Sequence, residues 1–188
     1  MNAPEPLKVA FVINGLNVGG AERIFVQQAN ELESRGFSVH LISLFISGPL
    51  AAELRIPQQR VHLIGMRSVF DLAGLRRLLR LCRSERIDII YTTLNEANLA
   101  GRLIALCLPR AALFTREANM ADCKPLLYKL NDICLGWRSR RIIAVSHAVG
   151  RSLTSYAPVG RKIFVLYNGV RLPPVAHRRS MGKRLLTI

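Results

Sequence analysis

No run in this sequence comes near the roughly 18 to 20 uninterrupted apolar residues that a membrane-spanning helix needs. The longest candidate, Leu103 to Leu108, stops at Pro109 and reads as the end of a buried helix. The N-terminus, Met1-Asn2-Ala3-Pro4-Glu5-Pro6, lacks a basic flank, and the apolar run after Lys8 is too short for a secretory signal. The chain is therefore expected in the cytoplasm. Cysteines are few, and Cys82, Cys107, Cys123 and Cys134 make no CxxC pair. In a cytosolic chain they read as buried, reduced thiols. His40, His62, His147 and His177 are scattered without HExxH spacing, so no metal site is expected. Aromatic residues amount to 6 %, with Trp137 the single tryptophan. That scarcity, without a zinc finger or an aromatic–basic alternation, argues against a nucleic-acid-binding protein.

Acidic residues are the other shortage. Twelve of them face 27 lysines and arginines, a net charge of +15. The basic residues gather between Arg76 and Arg86, between Arg138 and Arg141, and from Arg171 to Arg184. Such a surface attracts nucleic acid, acidic lipid headgroups or phosphorylated small molecules. It is equally what an arginine-rich, merely solvated surface would look like. Half of the 188 residues are apolar, enough for one domain with a sizeable core and against disorder.

What is present is an alternation of strands and helices. Lys8 to Ile13 is short, apolar and rich in β-branched residues, as suits a central parallel strand. A glycine-bearing loop follows, then a helix from near Ala21 with Phe25, Ala29 and Leu32 inward, ended by Gly36. Ser38 to Phe45, Val61 to Ile64, Ile87 to Thr92, Ala112 to Thr115, Arg141 to Val145 and Lys162 to Leu166 read as further strands. Between them, Asp71 to Arg86, Ala97 to Leu108, Pro125 to Leu135 and His147 to Tyr156 read as helices. In the first of these, Leu72, Leu75, Leu79 and Cys82 are expected inward and Arg76, Arg80 and Arg83 outward. Ser146 is placed to cap the last one. The expected fold class is α/β: a doubly wound, mostly parallel Rossmann-like sheet with helices on both faces.

In such sheets ligands lie beyond the C-terminal ends of the strands. The segments there are Asn14 to Gly20, Thr93 to Asn98, Arg116 to Asn119, Ser146-His147 and Asn168-Gly169. The first loop has no GxGxxG, and the second strand ends in Leu44-Phe45 rather than an acid, which counts against a dinucleotide. Gly182-Lys183-Arg184 fails the phosphate-binding pattern that requires Ser or Thr after Lys. No DxD is present to hold a metal. What remains is Gly19-Gly20-Ala21-Glu22-Arg23 opening a helix. Two glycines there admit a ligand close to the backbone and to free helix N–H groups, or simply make a tight turn.

Three blocks carry a resemblance. "NGLNVGGAERIFVQQANELESRGFSVHLISL", "IIAVSHAVGRSL" and "KIFVLYNGV" occur in order across nearly the whole chain. They are similar to the N-terminal domain of glycosyltransferase family 4. The resemblance implies half of a GT-B architecture, in which two Rossmann-like domains face each other across a cleft. It implies residues 1–172 as the acceptor-side domain and 173–188 as a linker plus the start of a donor-binding domain. Leu185-Leu186-Thr187-Ile188 resembles the first strand of that second domain. A nucleotide-sugar donor, retention at the anomeric carbon and no required metal or other cofactor are also implied. Gly19, Gly20, Glu22, Glu117, Asn119, Ser146, Asn168 and Gly169 become candidate substrate- or donor-binding residues. For Glu117 a structural salt bridge is the competing role. Ala118 stands where relatives carry a histidine facing the transferred sugar, so no catalytic histidine is carried over. Relatives often act on lipid-linked or cell-envelope acceptors, and the 76–86 and 138–141 arginines are candidates for holding the protein to an anionic inner membrane face. A non-catalytic binding module derived from such an enzyme is the alternative. Transfer by this chain alone is not expected.

Overall fold

The computed structural model of the chain describes residues 5–169, and seven strands form one sheet through its middle. They are β1 (Lys8–Gly15), β2 (Ser38–Ile46), β3 (Val61–Leu63), β4 (Ile89–Thr93), β5 (Ala112–Glu117), β6 (Arg141–Ala144) and β7 (Ile163–Val165). All pairings are parallel, in the order β3-β2-β1-β4-β5-β6-β7. The doubly wound α/β class is thus as the alternation predicts. The 173–188 segment, and the proposed boundary at 172, lie outside the described residues.

The helices are α1 (Gly20–Ser34), α2 (Leu72–Ser84), α3 (Asn95–Leu106), α4 (Leu126–Leu135) and α5 (His147–Thr154). Local signals set several ends. Gly36 takes φ 88 just beyond α1, a backbone region that glycine enters without a Cβ penalty. Asp71 Oδ1 accepts from the Gly74 N–H at 2.9 Å to cap α2. Ser146 Oγ accepts from the Val149 N–H at 3.2 Å to cap α5, as expected. Short 3-10 turns at Pro49–Glu53 and Gln58–Arg60, invisible to hydrophobic periodicity, fill the connection from β2 to β3.

Alternation along β1 divides the core in two. Ala10 and Val12 pack with Leu78, Ala100 and Ile104 of α2 and α3. Phe11 and Ile13 pack with Phe25, Val26 and Ala29 of α1 on the other face. Right-handed crossovers explain the distribution. The steps from β4 to β7 all run one way, so α3, α4 and α5 share a face, whereas α1 serves the step from β1 to β2 in the opposite direction. Beyond α1, the second face is an open apolar groove floored by Ile89, Tyr91, Phe114 and Ile143 and walled by Gln28 and Leu32. Among the described residues no helix covers it.

Two expectations need correction. Leu72 is 67 % exposed, and the buried side of α2 is Gly74, Leu78 and Cys82. Leu75 and Leu79 pack against the core as expected and Arg76, Arg80 and Arg83 face out, while Leu72, in the first turn, projects past the packed surface. Of the cysteines only Cys82 is buried, where burial pushes its thiol up to about 12, while Cys107, Cys123 and Cys134 are free and exposed.

Candidate functional site at the switch point of the sheet

β1 and β4 are neighbours, and the chain leaves them toward opposite faces of the sheet, so a crevice opens between their C-terminal ends. Three polar side chains converge there. Asn14, from the end of β1, donates through Nδ2 to Glu96 Oε2 at 2.6 Å. Its Oδ1 accepts from the Ala97 N–H at 3.1 Å, tying β1 to the start of α3. From α4, Tyr128 donates its hydroxyl to Glu96 Oε1 at 3.1 Å. Burial, and then the Glu96 carboxylate beside it, push Tyr128 up to about 12, which keeps it a donor. Between β4 and α3, Leu94 adopts φ 75 and ψ 156, a region that side chains rarely enter. Strain of about 1–3 kcal/mol is therefore stored at the point where the chain turns into the crevice. A carboxylate, a carboxamide and a phenol in one crevice suit a ligand rich in hydroxyl groups.

Beside this crevice lies a dense ionic network. Asn98 of α3 donates to Glu117 Oε1 at 2.9 Å and accepts from Thr92 Oγ1 at 2.6 Å. Lys124 Nζ bridges Glu117 Oε2 and Asp132 Oδ2, both at 2.7 Å. Arg102 meets Asp132 Oδ1 at 2.5 Å and Glu117 Oε1 at 3.8 Å. Tyr156 donates to Asp132 Oδ2 at 2.5 Å. Two cations thus face two carboxylates, without which burying any of the four would cost several kcal/mol. Burial moves Glu117 upward from its ordinary value, and Lys124 opposes that shift. The network pins both sides of the 118–125 connection, because Glu117 closes β5 and Lys124 stands just before α4.

Arg116 points to the opposite face. It is buried, and its guanidinium donates to neutral oxygens: Thr93 Oγ1 at 3.2 Å and Asn168 Oδ1 at 2.6 Å. Burial lowers its pKa, with the Tyr91 hydroxyl opposing. Arg116 thereby anchors the segment that follows β7 across the sheet.

The candidates from sequence distribute unevenly over this geometry. Glu117 takes the salt-bridge role: at 3 % exposure and held by Lys124 and Asn98 it does not line the open crevice. Asn119 stands exposed just past β5. Ser146 is a helix cap, Asn168 receives Arg116, and Gly169 borders a broad cleft against α1 with Glu31 and Tyr167. Gly20 faces open space. Glu22 folds back over Gly19, so a Cβ on Gly19 would strike its carboxylate. That carboxylate already answers the positive end of α1, and an anionic ligand there would have to displace it. A close approach that truly requires glycine occurs instead at Gly48, where a Cβ would run into the Leu16 carbonyl. Leu50 donates to that carbonyl at 3.0 Å, so Gly48 braces the first loop from behind. Glu96 lay within the Thr93 to Asn98 segment singled out from sequence; Tyr128 had no sequence signal, since it is brought from a different connection. Among the described residues no three His, Cys, Asp or Glu side chains converge as metal ligands.

The sequence profile of Glycosyltransferase Family 4 matches residues 18–172. The chain belongs to glycosyltransferase family 4. No curated protein matches the sequence. Solved structures share the fold at low identity. Anabaena Alr3699/HepE in complex with UDP-glucose aligns with a TM-score of 0.73 and 18 % identity over 87 % of this chain and 44 % of that one. The lipopolysaccharide outer core galactosyltransferase WaaB, in its apo form, gives 0.69 and 14 % over 92 % and 50 %. UDP-GlcNAc 2-epimerase from Methanocaldococcus jannaschii gives 0.63 and 20 % over 86 % and 46 %. The family 4 chain therefore spans about half the length of the solved structures that it matches.

Proposed function

We propose that this family 4 chain is the acceptor-side half of a glycosyltransferase that takes a nucleotide-sugar donor and delivers the sugar to a cell-envelope or polysaccharide acceptor. The observation that carries the reading is the crevice between β1 and β4, where Asn14, Glu96 and Tyr128 meet in a domain of this family. The lone pairs and donors there suit an acceptor's hydroxyl groups, with Glu96 accepting the hydroxyl proton's hydrogen bond. Structures bearing UDP and UDP-glucose among those of like fold support a nucleotide-diphosphate donor. In this reading a second domain holds most of that donor. Retention at the anomeric carbon and independence from metal complete the proposal.

The test is sugar transfer from a panel of radiolabelled nucleotide sugars to an envelope lipid extract, comparing the chain alone with one extended through a complete second domain. Transfer only by the extended protein supports a site split between two domains and identifies the donor. Two folded proteins without transfer would sink the reading and favour a binding module.

A further inference from the structure

His40 and His62 are scattered in sequence, yet the fold brings their rings together on neighbouring strands. On β2, His40 lies opposite Ala10, and on β3, His62 lies opposite Ile42. Ala10 and Ile42 belong to the core under α2 and α3, so both imidazoles share that face, diagonally across the β2–β3 ladder. His40 Nδ1 and His62 Nε2 are 3.4 Å apart. The ring planes differ by only 5°, and the ring centroids are 5.7 Å apart. With so short a nitrogen contact, that centroid distance is reached only when both nitrogens lie on the line joining the rings. The imidazoles therefore meet edge to edge in one plane, an N–H of one aimed at the lone pair of the other.

An incoming proton has two places to go. On the accepting nitrogen it would set two N–H groups head to head. On the outer nitrogen of the donating ring it would create an imidazolium in a pair whose His40 is 3 % exposed. The neighbours decide how hard that is. Burial is the largest cause that holds both histidines below their ordinary value. For His40, the His62 ring of β3, Arg60 just before β3 and Lys8 of β1 add to it, and Glu85 at the end of α2 opposes it. Arg60 is itself committed to Glu33 at 2.6 Å, and Asp88 accepts the Lys8 N–H at 2.9 Å. The one titratable side chain that α2 buries is Cys82, a neutral thiol. What the pair holds is a weak element. β3 is three residues long, forms the edge of the sheet and pairs with β2 alone, and Leu63 is exposed.

We propose that the His40–His62 pair is a proton-operated latch on the edge of the sheet: neutral, it holds β3 to β2, and acid opens it, freeing residues 58–63 and baring the edge of β2. The opening stops at residue 64, because Arg77 of α2 donates to the Ile64 and Gly65 carbonyls at 3.1 and 3.2 Å. The sign follows from burial. The opened segment takes up protons more readily than the closed pair, so the latch is fully closed above about pH 6.5 and weakens as the pH falls below that. This device goes beyond the proposed transfer reaction, and its readouts do not depend on it.

Hydrogen–deuterium exchange read by mass spectrometry tests the latch on the whole chain. From about pH 7.5 to about pH 5.5, and after correction for intrinsic exchange, peptides covering 58–63 should lose protection by roughly tenfold or more, while those covering β1 and β4 keep theirs. His62→Gln keeps a donor and an acceptor but takes up no proton in this range, and it should abolish the pH dependence at 58–63. An equal acid response in that variant would overturn the latch, as would protection at 58–63 that does not change with pH in the parent. A loss spread evenly over all strands would overturn it too, since that is global unfolding. The unaltered chain gives a second reading by NMR of the imidazole C–H groups. The two rings should titrate together and below the ordinary histidine range, and two separate, ordinary titrations would contradict a shared proton.

Discussion

α3 and α4 lie side by side, and they treat their side chains in opposite ways. α3 buries almost everything, including Asn98 and Arg102, and its small residues let it press against β4; a Cβ on Gly101 would sit 2.5 Å from Thr92 Cγ2. α4 buries its polar residues and exposes its leucines. The same ionic network runs through both. Hydrophobicity decides the orientation of α3, whose apolar stripe Ala97, Ala100 and Ile104 joins the core. In α4 the charge on Asp132 decides, because turning it outward would leave buried Arg102 and Lys124 with Glu117 as their one carboxylate, an uncompensated buried charge that costs more than exposing four apolar side chains.

The comparison breaks most sharply at the shared network. Arg102→Ala leaves buried Asp132 short of a cation and should cost about 3–5 kcal/mol, read as a lowered midpoint in urea denaturation. Pairing Arg102→Met with Asp132→Leu should recover much of that loss; a double variant as unstable as the single one would contradict the electrostatic account. Gly101→Val tests the tight side of the comparison. Overpacking against Thr92 should cost about 1–3 kcal/mol, and a Tm equal to that of the parent would show that α3 has room to move. Tyr156→Phe removes one hydrogen bond to Asp132 while Lys124 and Arg102 remain, with an expected cost of about 1 kcal/mol. Leu130→Asp on the outward face of α4 should stay within about 1 kcal/mol of the parent, since the side chain is about half exposed and fills no core position. Gly20→Val, facing open space, should likewise leave Tm almost unchanged. In the extended enzyme it should nevertheless slow transfer if a ligand approaches that backbone; full activity would remove Gly20 from the site.

Much of the fold was legible because parallel strands buried on both faces announce themselves as apolar runs, unbroken in Val9 to Ile13 and interrupted by His40 and Ser43 in Val39 to Leu44. Caps were legible for a similar reason, since Ser146 and Gly36 act on atoms within a few residues. The site was legible only as a set of segments. Glu96 fell inside one of them, but its partners Asn14 and Tyr128 are 82 and 32 residues away in sequence. Glu117 had two roles open, and the choice between them rested on Lys124 and Asn98 arriving from a neighbouring connection and helix. Leu72 was misplaced because it continues the apolar side of α2 in sequence, whereas in the first turn there is no packed neighbour to cover it.

By itself the sequence determined the α/β class, the strand order along the chain, the helix caps and the family to which the chain belongs. These depend on local periodicity, on backbone chemistry within a turn, and on motifs read in order. The tertiary structure alone decided which carboxylates are buried, which glycine carries a close contact, and which face of α4 meets solvent. Each of those outcomes is a balance between the desolvation of charge and the burial of carbon, and that balance is set by groups that only folding brings within hydrogen-bonding distance.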